Sequence, residues 1–369
     1  MIEICFWIFI VSSAILILYY SLTLLAIGRY RKPEALNINS PGISIIIAAK
    51  NEIENLQQLI PTLLKQDYPN FEIILVDDKS TDLTYDFGIG LMQDEKRFRF
   101  IRIDTTPDHI HNKKYAITLG IKAAKFDHIL LTDADCNPTG NSWIQEMTNG
   151  FSDDNKTFVL GFSQYKKEPG FLNRFIRFET LLTAHSYFGL GLLGKPYMGV
   201  GRNLAYRKTF FLSKNGFGKH QGIIGGDDDL FVNSHANRRN TGFVISPESI
   251  MTSHPKNTLG EFMRQKMRHL STGKYYKLSD RLILGLIAIT RVIFWISLFC
   301  AIFAIDKLLF VGIGFILTIV SLMFSLQVLI KKTGDEDSVW SMPYLDFTYI
   351  FYYISIGLKV LFTKKIKWN

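Results

Sequence analysis

The chain has 369 residues, too many for one ordinary domain of ~150, and 47% of them are hydrophobic and 14% aromatic, which is rich for a water-soluble protein. The net charge of +9 comes without a basic stripe interleaved with aromatics in the central region, so nucleic-acid binding is disfavoured. Three scattered cysteines, Cys5, Cys136 and Cys300, make neither a disulfide framework nor a zinc site.

Residues 4–27 carry no charge over a length that exceeds the ~20 residues a helix needs to cross a bilayer. A signal peptide is the rival reading, but Glu3 precedes the run without any Lys or Arg, the run is too long, and no A-x-A-like site follows. We therefore expect an uncleaved anchor over 1–32. Its basic end, Arg29 to Lys32, places the following domain in the cytosol by the positive-inside rule. The whole is expected to be an integral protein of the plasma (inner) membrane, with its positive charge toward an anionic leaflet.

Residues 33–280 form the next expected segment, of domain size and ending in an interface helix. "ISIIIAAK" (43–50) and "FEIILVDDKS" (71–80) read as buried strands around a helix at 53–66 with an apolar stripe. A helical stretch at 82–96, a strand at 98–104, a helix at 114–124 and a strand at 128–135 continue the alternation. Apolar runs without alternation mark strands covered on both faces, so the fold class is α/β, with a mostly parallel sheet and helices on both sides.

Ligands of such sheets bind beyond the carboxyl ends of the strands, and the acids fall there. Asp77 and Asp78 close the second strand; Asp133 and Asp135 close the fourth. Each pair alone fits a turn or a helix cap. Two pairs on one edge suit Mg²⁺ or Mn²⁺, hard ions that favour oxygen ligands and share them with substrate phosphates. Neither G-x-G-x-x-G nor G-x-x-x-x-G-K-[ST] is present, so a metal would have to hold the phosphate. If the strand continues through Asp135, both carboxylates face the same side.

Downstream, "GGDDDLFVN" (225–233) sets three acids after two glycines and before a helical stretch, "LFVNSHANRR". It reads either as an acidic helix start favoured by the macrodipole or as a general base for a hydroxyl. In "MRQKMRHLSTGKYY" (263–276), Gln265, Arg268 and His269 share a helical face, either as a solvated basic helix or as partners of a diphosphate and of acceptor hydroxyls. His109, His111, His235 and His254 lack ligand spacing and read as surface residues. The last expected segment, 281–369, holds apolar runs at about 282–303, 308–330 and 344–362. Arg291 within the first either faces protein or marks an interfacial helix. Four full crossings would leave the basic tail "KKIKWN" outside, against the charge rule.

Taken in order, these motifs resemble the membrane-integrated family-2 glycosyltransferases of GT-A fold, the branch of cellulose, chitin and hyaluronan synthases and ceramide glucosyltransferase. The likeness runs from about 42 to 275. "IIIAAKNE" (Ala49, Asn51, Glu52) is similar to the family's opening strand and pocket loop, "VDDKSTD" to V-D-D-x-S-x-D, and "NKKYAITLG" to K-x-x-A-L-N. The resemblance implies that Asp77, Asp78 and Lys113 meet the donor nucleotide, and that "TDAD" is the D-x-D whose Asp133 and Asp135 bind its diphosphate through Mn²⁺ or Mg²⁺. "GVGRNLAYRK", with Gly201 and Arg202, stands in the place of the acceptor-side strand. "GGDDDLFVN" resembles G-D-D-R-x-L-T-N, which implies Asp228 as base, or Asp227 in the alternative register. "QKMRH" resembles Q-x-x-R-W with His269 for Trp, which implies a diphosphate or acceptor role for Gln265, Arg268 and His269. The implied activity is inverting transfer from a nucleotide diphosphate sugar, a UDP-sugar by expectation, to a lipid or lipid-linked hydroxyl. A processive polysaccharide synthase subunit and a non-catalytic membrane scaffold are the alternatives.

Overall fold

The structure, a computed structural model, describes residues 1–34 and 40–362. The basic tail at 364–369, and residues 35–39 of the expected catalytic segment, lie outside the described residues.

The chain starts with α1 (Ile2–Arg29), β1 (Ile43–Ala49), α2 (Ile53–Leu64), β2 (Phe71–Asp77), α3 (Thr84–Asp94), β3 (Phe98–Arg102), α4 (Asn112–Ala123) and β4 (His128–Asp133). Next come β5 (Cys136–Pro138), α5 (Trp143–Asn149), β6 (Phe158–Leu160), β7 (Ser163–Tyr165), α6 (Phe171–Leu192), β8 (Leu204–Arg207) and α7 (Lys208–Ser213). They are followed by α8 (Asp229–His235), β9 (Thr241–Phe243), β10 (Met251–Ser253), α9 (Leu259–Thr272), α10 (Leu278–Ala301), α11 (Leu308–Thr333) and α12 (Met342–Phe362).

Two compact units divide these elements: one comprises 31–166 and 196–255, the other 1–30, 167–195 and 256–369. Residues 167–195 and 256–280, within the segment expected as 33–280, thus pack with the apolar helices.

In the α/β unit a seven-stranded sheet has the order β3-β2-β1-β4-β8-β6-β9. The strands from β3 to β4 are parallel, whereas β8 runs antiparallel to both β4 and β6. Isoleucine, leucine and valine fill β1 and β2, which are buried on both faces as their unbroken apolar runs require. The pairing Ala49↔Asp77 and Ala48↔Asp133 brings the carboxyl ends of β1, β2 and β4 to one level, where the strand order switches direction. Helix α4 reaches that edge with its first turn. Its Gly120 lies so close to the sheet that a Cβ there would come within 2.5 Å of Ile46, so glycine allows the helix to lie flat. A second sheet, β5-β10-β7, pairs Cys136 with Ser253 and Ser253 with Tyr165.

Two sequence expectations change here. Strand β4 stops at Asp133, so the two carboxylates of the D-x-D do not share a strand face: Ala134 and Asp135 form a turn that leads into β5. The helix after the acidic triplet is also short, ending at His235, because Asn237 and Asn240 tie the following residues into a turn.

In the other unit three helices are long and apolar enough to cross a membrane: Ile2–Arg29, Leu278–Ala301 and Ile305–Thr333. Helix α12, rich in tyrosine and bearing Asp346 and Lys359, is not among them. Arg291 faces protein: its Nε lies 3.3 Å from Asp346 Oδ1, and its Nη2 donates to the Tyr20 hydroxyl at 2.8 Å. Trp295 Nε1 donates to the other Asp346 oxygen, so this buried carboxylate joins α10 to α12, while Arg291 joins α10 to α1.

Arg177 on α6 is 5% exposed and donates from Nε to Asp337 at 3.1 Å and from Nη2 to Asp335, holding the segment between α11 and α12. Arg177→Met leaves two carboxylates without their cation and should destabilise the chain by about 3–5 kcal/mol. Thermal unfolding of the detergent-solubilised protein would show it, and adding Asp335→Asn and Asp337→Asn to the variant should recover part of the loss.

Candidate functional site

Six segments of the α/β unit meet at the sheet edge: the ends of β1, β2 and β4, the first turn of α4, the turn before β8, and the loop that opens α8. A small cavity there is lined by Ile46, Ala48, Lys113, Ile117, Leu131, Thr132, Asp133, Gly201 and Asp227.

The β1 and β2 ends form one wall. Asp78 N–H donates to the Ala49 carbonyl at 2.8 Å, and Asp77 Oδ1 accepts from Ser80 N–H. Asp77 Oδ2 is buried without a hydrogen bond, and Asp78 Oδ1, which also lacks one, lies 3.7 Å from the Lys79 ammonium. Asn51, held at φ 57°, accepts from Thr81 N–H at 2.7 Å and donates its own N–H to Ser80 Oγ. Glu52 accepts from Asn55 at 2.6 Å. Asn51 and Glu52 thus shape the loops.

Lys113 bridges the edge. Its Nζ lies 2.9 Å from Asp133 Oδ1 and 3.2 Å from Asp227 Oδ2, linking the end of β4 to the acidic loop. Burial would lower the Lys113 pKa, but Asp133, Asp227 and Asp228 outweigh it and hold the ammonium well above its usual range. Burial would raise the Asp133 carboxyl; Lys113 and Arg202 together pull it below its usual range. Asp135 turns the other way and accepts from Ser253 Oγ at 3.3 Å. Next to it Cys136 is buried, and burial followed by the Asp135 charge pushes its thiol well up, so it stays protonated.

Gly225 and Gly226 both take φ 74°, a left-handed turn that side-chain-bearing residues adopt poorly, and so aim the acidic triplet. Asp228 caps α8 through Asp229 N–H at 2.7 Å, while its other oxygen accepts from Gly201 N–H at 2.7 Å. Burial, then the charges of Asp227 and Asp229, raise its carboxyl to about 7 against the opposing pull of Lys113 and the Gly201 N–H. The acidic helix start and a carboxyl poised near neutrality are therefore the same residue.

Two neighbours escaped the sequence reading. Lys114 is fully buried and donates to the His220 and Ile223 carbonyls, pinning the loop that leads to the acids. His111, expected at the surface, is half-buried at the start of α4, within electrostatic reach of Asp227 and Asp78; burial lowers its pKa. The adjacent "KK" was the available signal, since neighbouring helix positions point in different directions. Gln265, Arg268 and His269 belong to the other unit, on α9, where Gln265 and Arg268 are half-buried, His269 is exposed and Lys266 between them pairs with Glu179.

With this geometry in view, comparison with known proteins is specific. Residues 44–213 match the family model described as Glycosyl transferase family 2. Over 98 residues the chain is 33% identical to a poly-beta-1,6-N-acetyl-D-glucosamine synthase of Staphylococcus epidermidis, covering 26% of this chain and 22% of that protein. It is 37% identical over 98 residues to a dolichyl N-acetyl-alpha-D-glucosaminyl phosphate 3-beta-D-2,3-diacetamido-2,3-dideoxy-beta-D-glucuronosyltransferase of Methanococcus voltae, covering 26% of this chain and 30% of that one. These alignments thus span less than a third of either relative. In structure, a mannosyltransferase from Pyrobaculum calidifontis in complex with GDP-Man and Mn²⁺ superposes with a TM-score of 0.66 over 99% of both chains, at 14% identity. Residues 44–213 are thus similar to family-2 glycosyltransferase domains, and the fold is shared with that mannosyltransferase.

Proposed function

We propose that the protein is a membrane-bound, inverting glycosyltransferase that moves a sugar from a nucleoside diphosphate donor to the hydroxyl of a lipid or lipid-linked acceptor. The observation that carries the reading is the pairing, on one sheet edge, of a D-x-D turn with a carboxyl raised to about 7. In this reading the wall of Ala49, Asn51, Glu52, Asp77 and Asp78 receives the nucleoside, and the carboxylate oxygens of Asp77 and Asp78 that lack a hydrogen bond accept from its base and ribose. Asp228 takes the acceptor proton; a raised pKa gives it the basicity that an ordinary aspartate lacks. Asp227 serves instead as the partner of Lys113. Gln265, Arg268 and His269 are assigned to the acceptor and diphosphate by the Q-x-x-R pattern alone.

The donor set fits Mn²⁺ or Mg²⁺. Asp133 and Asp135 offer oxygens only, the neighbouring thiol stays protonated, and among the described residues no third His, Cys, Asp or Glu completes a cluster. The remaining ligands would be diphosphate oxygens and water, as these ions favour. When bound, such an ion neutralises charge on the departing diphosphate. Lys113 Nζ pairs with Asp133 Oδ1 at 2.9 Å, a positive charge beside this carboxylate. Lys113→Met should therefore tighten binding of Mn²⁺ alone by several-fold to about tenfold, since one opposing charge–charge contact worth about 1 kcal/mol is removed. Mn²⁺ electron-spin resonance on the nucleotide-free protein measures this.

A lipid acceptor is favoured over a growing polymer by the small number of membrane-length helices, three among the described residues. With three crossings the basic ends Arg29–Lys32 and Lys331–Lys332 share one side, the cytosolic one by the charge rule. Lys307 between α10 and α11 pairs with Glu3 at 2.9 Å, as two ends emerging on the opposite side would. Screening release of UDP or GDP across sugar nucleotides, with product length measured on lipid acceptors, tests the proposal. One added sugar supports it; a ladder supports the polysaccharide alternative, and no nucleotide release supports the scaffold.

A further inference from the structure

We infer that Arg202 is a catalytic residue of the donor site, a guanidinium that hydrogen-bonds the β-phosphate of the nucleoside diphosphate and takes up its charge as the sugar leaves. The inference rests on the glycosyltransferase reading and deepens it. The Q-x-x-R pattern draws attention to Arg268, yet the arginine built into the D-x-D site is this one.

Three observations place it. Leu131 of β4 lies opposite Leu204, the first residue of β8, so the helical turn Gly201–Asn203 that precedes β8 sits beside the end of β4, with Arg202 in electrostatic reach of Asp133. On its other side the guanidinium stacks on the Tyr165 ring, 4.5 Å from its centroid; Tyr165 pairs with Ser253, whose hydroxyl donates to Asp135. Arg202 therefore lies within electrostatic reach of both acids of the D-x-D. Its Nη1 is buried and makes no hydrogen bond, an expensive state for a charged donor unless a ligand completes it.

The turn that carries Arg202 is rigid. Asn203 accepts from Trp143 Nε1 at 3.0 Å and donates to the Phe162 and Ser249 carbonyls, anchoring the turn in the core. Gly201, one residue earlier, holds Asp228. One three-residue turn thus positions the base and the guanidinium together. In the reaction the acceptor oxygen forms a bond to the sugar C1 while its proton passes to Asp228. The bond from C1 to the β-phosphate oxygen breaks and its electron pair stays on that oxygen. The new charge appears where the free Nη1 can meet it, and a planar guanidinium suits phosphate oxygens better than an ammonium does.

The test compares Arg202→Met and Arg202→Lys with the wild-type full chain in detergent. Calorimetry with Mn²⁺ measures affinity for UDP and GDP against UMP and GMP, and turnover is read at saturating donor. The expected result is a loss of at least about tenfold for the diphosphate in the Met variant, with the monophosphate within about twofold. Turnover should fall on the order of 10²-fold, as for removal of one charge-stabilising donor. The Lys variant should recover diphosphate affinity in part and turnover little. Equal losses for mono- and diphosphate, or none for either, overturn the inference. So does a loss of nucleotide-free Mn²⁺ binding as large as the diphosphate loss, which would mean that Arg202 acts through Asp135. If the wild type binds neither nucleotide class, the glycosyltransferase reading falls and takes this one with it.

Discussion

Asp228→Asn should lower transfer on the order of 10²–10⁴-fold while leaving nucleoside diphosphate affinity unchanged, because a positioned general base contributes about that much and does not touch the donor. The pH profile of the wild type should rise through about 7 and level off above it, as Asp228 loses its proton. The same carboxyl couples to stability. Since its folded pKa lies above the ordinary 3.8, the folded chain holds this proton more tightly than the unfolded chain does. Its favourable contribution is complete below the ordinary carboxylate range and is lost as pH rises through about 7. The difference in melting temperature between the Asn variant and the wild type should therefore move in the variant's favour between pH 5 and pH 8. A flat difference would remove the raised pKa; full activity of the variant would remove the assignment. Asp227→Asn should behave otherwise, since Asp227 is bound to Lys113 at 3.2 Å.

The second large effect concerns the D-x-D. Asp133→Ala combined with Asp135→Ala should abolish the Mn²⁺ dependence of nucleotide binding and reduce turnover on the order of 10²–10³-fold or more. Chelation of the wild type should reproduce the loss, and restored Mn²⁺ should recover the wild type only. The single variants separate the two carboxylates. Asp133→Ala also frees Lys113 from its 2.9 Å contact, whereas Asp135→Ala removes a carboxylate held by the Ser253 hydroxyl and the Cys136 thiol. Calorimetric titration of Mn²⁺ with and without UDP or GDP distinguishes these cases, and transfer insensitive to chelation would remove the metal from the reaction.

Much of the site was legible because strand ends are. The runs ending in Asp77 and Asp133 are apolar up to the last residue, and a parallel sheet buried on both faces brings such ends to one edge whatever the loops do. Gly225-Gly226 announced a sharp turn before the acids, and both glycines do take the left-handed conformation. Other features needed contacts between residues far apart in sequence. Lys113 and Lys114 are indistinguishable by composition, yet one bridges Asp133 and Asp227 and the other is buried against the carbonyls of a loop some 110 residues away. Likewise Asp227, Asp228 and Asp229 are three identical side chains until Gly201 N–H and Lys113 select among them.

By itself the sequence determined the α/β class, the position of the acidic edge and the apolar helices, since these depend on local periodicity and on where apolar runs stop. Only the tertiary structure decided that the D-x-D is a turn whose carboxylates diverge, that Arg291 faces protein, and that Arg202 comes within electrostatic reach of Asp133 and Asp135. Each of those depends on the register of strands, or the packing of helices, brought together across long stretches of chain, and a side chain's pKa and free hydrogen-bond capacity are properties of that neighbourhood rather than of the residue.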